Sequence, residues 1–304
     1  MTVPPSRPES PFGRALTAVV TPMHQDGGLD LDGLQKVVAH LFDNGHDGVV
    51  VSGTTGESAT TTDEEKDQIL RAALEVVGDR GRVVAGVGSN DTAHTVHSAR
   101  AAAAAGAHGL LVVTPYYNRP TQPGLAAHVE AVADATDLPV MLYDIPARTG
   151  TAIATETLLR VAEHPRIVAV KDAKGDLWSA TRVMTQTDLL WFSGDDVLTL
   201  AHLAQGATGY VGVATHIAGS AYASMLAAVD AGDLTTAVAV HRRLVPLVDA
   251  LMFTSQGAIM AKAALRELGV IDSAAVRLPL VESPPEHLDL LRAALATLGE
   301  PSTH

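Results

Sequence analysis

Short apolar runs alternate along the chain with stretches whose apolar residues recur at helical spacing. The runs are Ala15–Val20, Gly48–Val51, Val83–Val87, Leu110–Val113, Val140–Tyr143, Ile167–Val170, Leu189–Phe192 and Tyr210–Val213. Amphipathic or alanine-rich stretches follow them: Leu31–Asn44, Asp63–Val77, Thr92–Ala105, Gly124–Thr136, Thr155–His164, Leu177–Thr187, Val197–Gln205 and Ile217–Ala231. Apolar runs this short read as buried strands. Strand then helix, eight times over, predicts parallel pairing with right-handed crossovers. Three helix-to-strand joints repeat one pattern: Gly45-His-Asp-Gly48, Gly106-Ala-His-Gly109 and Gly206-Ala-Thr-Gly209. The first Gly of each suits a left-handed helix end and the second opens a strand. Units of roughly 25 to 30 residues match a (β/α)8 TIM barrel better than an open doubly wound sheet. After Asp233 the strands stop. Leu234–Met252, Ala258–Leu268 and Pro285–Leu298 predict helices, the first kinked at Pro246. The expected division is a Pro- and Ser-rich disordered tail over 1–11, the barrel over 12–232 and a helical extension over 233–304. The extension carries no residue that reads as catalytic, and is expected to pack on the barrel or build an oligomer contact.

Composition narrows the choices. Apolar residues make up 47% and aromatics only 4%, so aliphatic side chains and alanine must fill the core. The charge balance is 21 basic against 34 acidic residues, a net −13. That argues against nucleic acid or an anionic membrane as partner. It also means that an anionic substrate must be held by local cations and backbone amides. The absence of cysteine excludes disulfides, thiolate metal sites and a cysteine nucleophile. No apolar run reaches the length of a membrane span, and the N-terminus lacks an apolar signal segment. A cytoplasmic protein is expected. The 13 histidines include no His-Glu-x-x-His arrangement, and no metal is expected.

In a barrel of this type the chemistry sits where the strands end. Lys171 directly follows the apolar run Ile167–Val170. An amine there is partly desolvated, which lowers its pKa and frees it as a nucleophile toward a carbonyl. The alternative is a lysine that ends a strand and reaches into water. Gly53-Thr-Thr-Gly-Glu57 leaves the second strand, and consecutive amides in such a turn can cradle an anion. It lacks the Lys of a P-loop, and Gly86-Val-Gly-Ser-Asn-Asp91 lacks the third Gly of a dinucleotide fingerprint. Tyr143 and Tyr117 stand at strand ends, where a phenol can pass protons or orient a carbonyl. Arg148 follows a Pro turn and can clasp a carboxylate, or else pair with a surface acid such as Asp144.

Five strand-end motifs stand in one order and spacing: Gly53-Thr-Thr-Gly-Glu-Ser58, Thr114-Pro-Tyr-Tyr-Asn118, Tyr143-Asp-Ile-Pro-Ala-Arg-Thr-Gly150, Val170-Lys-Asp-Ala173 and Ser193-Gly-Asp-Asp196. Together they resemble the dihydrodipicolinate synthase (4-hydroxy-tetrahydrodipicolinate synthase) family of class I pyruvate-dependent lyases, over nearly the whole chain. The resemblance implies that Lys171 forms a Schiff base with pyruvate. Tyr143 would relay protons with the hydroxyl of Thr55, and Tyr117 would complete the relay from a neighbouring subunit. Thr54 and Thr55 would hold the pyruvate carboxylate through backbone amides. Arg148 would bind the carboxylate of L-aspartate 4-semialdehyde, and the carbonyl of Val211 would lie near the imine. It further implies a homotetramer, no cofactor, and a place in lysine and diaminopimelate biosynthesis.

Some positions depart from the family pattern. Asp144 replaces a common Asn and Lys174 a common Thr; a second ammonium close to Lys171 would lower its pKa further. At the family's lysine-effector site Ser58, Ala59, Asn90 and Tyr116 are kept. Asp63 and Lys66 replace His and His94 replaces Glu, which predicts weak or absent inhibition by lysine. Two other readings remain: a related lyase acting on a sugar acid or keto acid, similar to N-acetylneuraminate lyase, and a catalytically silent keto-acid-binding barrel. Arg148 favours a second substrate with a carboxylate near its aldehyde, and the retained Lys171, Tyr143, Tyr117 and Thr55 argue against silence.

Overall fold

Eight parallel strands close into a barrel in sequence order: β1 (Ala15–Ala18), β2 (Gly48–Val51), β3 (Arg82–Gly86), β4 (Gly109–Val113), β5 (Val140–Asp144), β6 (Ile167–Asp172), β7 (Leu190–Ser193) and β8 (Gly209–Gly212). β1 pairs with both β2 and β8, which closes the ring. The structure, a computed structural model, describes residues 9–298. Most of the tail expected over 1–11 therefore lies outside the described residues. The barrel helices are α1 (Leu31–Asp43), α2 (Asp63–Val77), α3 (Thr92–Ala105), α4 (Gln122–Ala133), α5 (Pro146–Thr149), α6 (Thr155–Val161), α7 (Leu177–Met184), α8 (Thr199–Ala204) and α9 (Thr215–Asp230). Side-chain caps at Asp30, Thr62, Asp91 and Asp176 start α1, α2, α3 and α7 where the polar-to-apolar switches occur. The four-residue α5 was not expected: it is too short to carry a helical period.

The repeated joints have a physical cause. Gly45, Gly106 and Gly206 all adopt positive φ, as left-handed helix ends. The second glycine of each joint makes room for the N-terminal segment, which crosses the foot of the barrel. A Cβ on Gly48 would lie 2.3 Å from the Phe12 carbonyl oxygen, and one on Gly109 would lie 2.5 Å from the Phe12 ring. A Cβ on Gly209 would lie 2.0 Å from the Arg14 carbonyl oxygen. Phe12 is wholly buried and meets Phe192 edge-on, so it plugs the barrel interior lined by Leu16, Val50, Leu111 and Met141. A second apolar shell joins the strands to α1, α2, α3 and α4.

The extension forms α10 (Leu234–Val248), α11 (Gly257–Glu267) and α12 (Pro285–Leu298). Pro246 sits inside α10, and the winding changes to a π turn over Asp249–Phe253 just beyond it. α11 is buried along nearly its whole length, and Ala261 and Leu265 join the barrel's own apolar shell. No single helix among the described residues is long and apolar enough to cross a membrane.

Two buried neutral histidines flank β1, His216 on its β8 side and His46 on its β2 side. His216 Nε2 accepts the Val20 amide (3.1 Å), so Nδ1 carries the proton and donates to the Val213 carbonyl (2.8 Å). His46 Nδ1 donates to the Leu41 carbonyl, and its Nε2 accepts the Thr17 hydroxyl at 2.6 Å. Burial pushes His46 down to about 4 and His216 down to about 3. The unfolded chain therefore takes up these protons first. The stability that the neutral rings contribute is complete above the unfolded value of about 6.5 and is lost as pH falls toward 4 and 3. Asp144 and Asp196, whose carboxyls are raised by burial, act in the opposite direction. Comparison with a variant isolates the histidine contribution. His216→Gln should lose less of its urea midpoint than wild type between pH 7 and pH 5, each buried ring contributing up to about 1.4 kcal/mol per pH unit. Equal losses in both proteins would contradict this.

Candidate active site

The strand register places the first pair of groups. Tyr143 on β5 is the register partner of Lys171 on β6, so both side chains project to the same face, into the barrel. The Lys171 Nζ lies 4.0 Å from the centre of the Tyr143 ring. Lys171 is only 4% exposed, which decides against a lysine reaching into water. Its stem runs past Gly194, where a Cβ would stand 2.8 Å from the Lys171 Cγ. Any larger residue there would displace the amine.

Electrostatics set the protonation states. Burial pushes Lys171 down to about 7; the nearby Asp196 carboxylate opposes this, and the Arg148 guanidinium reinforces it. Asp196, itself buried and raised to about 6, accepts the amides of Val213 and Ala214 and so secures the turn after β8. Gly212 leaves it space: a Cβ there would be 2.7 Å from the Asp196 Oδ1. Burial pushes Tyr143 up to about 12, against the pull of Arg148 and of a hydrogen bond with Thr54. Of the two threonines of the turn, Thr54 is the one whose hydroxyl bears on the Tyr143 phenol. Thr55, for which the relay was expected, is buried beside it. Adjacent residues in a tight turn point different ways, and the sequence alone could not tell which of the two faces the phenol.

The turn after β2 is wound tightly. The amides of Gly56, Glu57 and Ser58 are used inside it, bonding to the carbonyls of Gly53 and Thr54. The amides of Thr54 and Thr55 have no hydrogen-bond acceptor among the described residues. Two free amides beside an amine of lowered pKa form a receptor for a small carboxylate. Thr54 also lines a cavity of about 890 Å³ at this end of the barrel, together with Tyr116, Tyr117, Arg119, Arg148 and Gln256.

Arg148 is carried on α5, which is fastened to the residue after β4 by Thr114 Oγ1 donating to Thr149 Oγ1 at 3.1 Å. The guanidinium is exposed and has no ion-pair partner among the described residues. Asp144, its suggested partner, instead lies 3.8 Å from Lys174. Tyr117 is 90% exposed and holds a positive φ, in a loop fastened by Asn118 to the Asn90 carbonyl. Val211 lies in β8 opposite Leu16, with its side chain in the barrel core.

Lys174 does not join Lys171. Asp144, Asp172 and Ser193 are mutual register partners, one residue beyond the inward-facing layer, and so turn to the outer side of the strands. There Lys174 donates to Ser179 Oγ at 3.1 Å and faces Asp144, and His202 lies 3.6 Å from Asp172. The sequence left the place of Lys174 open; in the structure it is a counter-charge for the buried Asp144 carboxylate. Reading the Lys171-Asp-Ala-Lys174 spacing as a strand that continues through Asp172 would have signalled this. The sequence reading also gave no role to Gly194 or Asp196, although both lie in a motif it had singled out.

No group of three or more metal-ligating side chains occurs among the described residues. A sequence model of the dihydrodipicolinate synthetase family matches residues 11–298. A 4-hydroxy-tetrahydrodipicolinate synthase of Kineococcus radiotolerans is 59% identical over 98% of this chain and 97% of its own. Among solved structures, a dihydrodipicolinate synthase from Cyanidioschyzon merolae with lysine bound has TM-score 0.93 and 41% identity, covering 96% of this chain and 99% of that one. The chloride-inhibited enzyme of Acinetobacter baumannii complexed with pyruvate has TM-score 0.91 and 36% identity, covering 95% and 99%.

Two outcomes are expected. Labelling of Lys171 by an amine-directed reagent, followed by mass spectrometry across pH, should be half-maximal near pH 7; a midpoint above pH 9 would refute the desolvated amine. Lys174→Ala should leave that midpoint in place, because its ammonium lies on the other side of the strand. A clear upward shift would reinstate it as a neighbour of Lys171.

Proposed function

The chain belongs to the dihydrodipicolinate synthetase family, and from that premise we propose that it is a 4-hydroxy-tetrahydrodipicolinate synthase, joining pyruvate to L-aspartate 4-semialdehyde through a Schiff base on Lys171. The observation that carries this reading is the buried Lys171 amine, lowered to about 7, packed on Tyr143 and adjoining a turn with two free amides. The neutral amine attacks the ketone of pyruvate, and loss of water leaves an imine. The imine draws electrons from the methyl group, which gives up a proton to form an enamine. The enamine carbon attacks the semialdehyde's aldehyde carbon. The semialdehyde's own amine then displaces Lys171 and closes the ring.

The remaining roles follow from chemistry. Tyr143, with its phenol raised to about 12, stays protonated and passes protons rather than holding charge. Thr54 is the hydroxyl partner in this relay, in place of Thr55. Thr54 and Thr55 present amides to the pyruvate carboxylate, and the unpaired Arg148 takes the carboxylate of the second substrate. Val211 lends its carbonyl to the imine side of the site. Tyr117, exposed and backbone-strained, serves a neighbouring subunit of a homotetramer. The enzyme works in the cytoplasm, in lysine and diaminopimelate biosynthesis, without metal or organic cofactor. Lysine inhibition is weak or absent: His94 stands where inhibited members carry Glu, and Asp63 is engaged by Lys66 at 3.6 Å and by His94 at 3.5 Å.

Borohydride added with pyruvate should leave a carboxyethyl adduct on Lys171 in wild type and none in Lys171→Ala. A silent barrel would gain no adduct. Arg148→Ala should lower kcat/KM for aspartate semialdehyde by about 10- to 100-fold, the loss of a charge-assisted hydrogen bond. Release of pyruvate from sugar acids, with no condensation activity, would favour the N-acetylneuraminate lyase-like alternative. Half-inhibition by submillimolar lysine would refute the altered effector site.

A further inference from the structure

We propose that Glu57 and Lys262 are positioning residues for pyruvate: the C-terminal extension holds the carboxylate-binding turn from behind through their buried ion pair. The inference rests on the pyruvate reading above. Glu57 closes the Gly53–Glu57 turn with φ +55, a backbone conformation that costs a non-glycine residue free energy and persists only where the surroundings enforce it. Its amide donates to the Thr54 carbonyl, and its own carbonyl accepts the amide of Thr60. The placement of Glu57 therefore sets the path of Thr54 and Thr55.

What enforces it comes from the far end of the chain. Lys262, fully buried on α11, donates its ammonium to the Glu57 carboxylate and to the Ala275 carbonyl at 2.7 Å. The other Glu57 oxygen accepts the Arg277 amide at 3.0 Å. The Arg277 guanidinium then bridges the loops on either side: it donates to the carbonyls of Gly27 and Thr60 and forms a two-pronged pair with Glu65. Both carboxylate oxygens of Glu57 are thus fixed by the extension. Gln256 and Pro279, also from the extension, line the same cavity as Thr54.

Energetics point to position rather than stability. Removing two charges from water costs about as much as their attraction returns, and an apolar pair of similar volume serves stability as well or better. An apolar pair has no preferred direction, whereas a carboxylate with two fixed donors does. The pair is placed where direction matters, two and three residues from the Thr55 and Thr54 amides that would receive substrate.

The test compares wild type, Glu57→Gln and the double variant Glu57→Leu/Lys262→Met. Pyruvate KM, semialdehyde KM and the pyruvate concentration needed for half-maximal borohydride trapping are measured on each. The double variant removes both charges together and leaves neither ion buried alone. It is expected to melt near the wild-type temperature and to need at least about tenfold more pyruvate for trapping, with semialdehyde KM changed less than about twofold. Glu57→Gln, which keeps shape and one acceptor, should show a smaller rise of the same kind. If the double variant does not fold, Glu57→Gln alone decides. Wild-type trapping and pyruvate KM in a folded variant would overturn the positioning role, as would equal losses for both substrates. Failure of wild type to trap pyruvate at all would overturn the pyruvate reading, and this inference with it.

Discussion

The site depends on one amine kept out of water. Lys171 lies in a closed ring of strands, against the face of Tyr143, with Gly194 leaving just enough room for its stem. Desolvation lowers its pKa more than the Asp196 carboxylate raises it. Burial raises the Asp196 carboxyl to about 6, while the amides of Val213 and Ala214 that it accepts favour its charged form. The balance at Lys171 therefore rests on the barrel excluding water.

The two-residue period of a strand separates reactivity from support. Along β6, Lys171 turns inward to the reacting centre and Asp172 turns outward to a buried polar layer with Asp144, Lys174 and His202. Neighbours in sequence thus serve different environments. The outward layer sets Lys174 beside Asp144 and His202 beside Asp172, while the inward one carries the amine and phenol.

The C-terminal helices change meaning in the folded chain. As a sequence they are an amphipathic tail without chemistry. Folded, α11 runs through the apolar shell of the barrel, and Lys262, Ala275 and Arg277 grip Glu57 and the loop that follows it. A barrel cut after residue 232 would lack the back wall of its own anion-binding turn. That makes the extension part of the site's scaffold, rather than a module added to a finished barrel.

The alternation of apolar runs and helical periods was enough to reveal the barrel, because strand and helix periods are local properties of the chain. The positive-φ glycines before β2, β4 and β8 and the lysine at the end of an apolar run were legible for the same reason. What the chain could not declare locally was direction and distance. Whether Thr54 or Thr55 reaches the phenol depends on the winding of one turn. Whether Lys174 adds to the field on Lys171 depends on which face of a strand it leaves. The Glu57–Lys262 pair joins residues from opposite ends of the chain, and only closure of the barrel with α11 against it brings them together. Contacts of that kind carry no periodic signature, so the tertiary structure alone decided them.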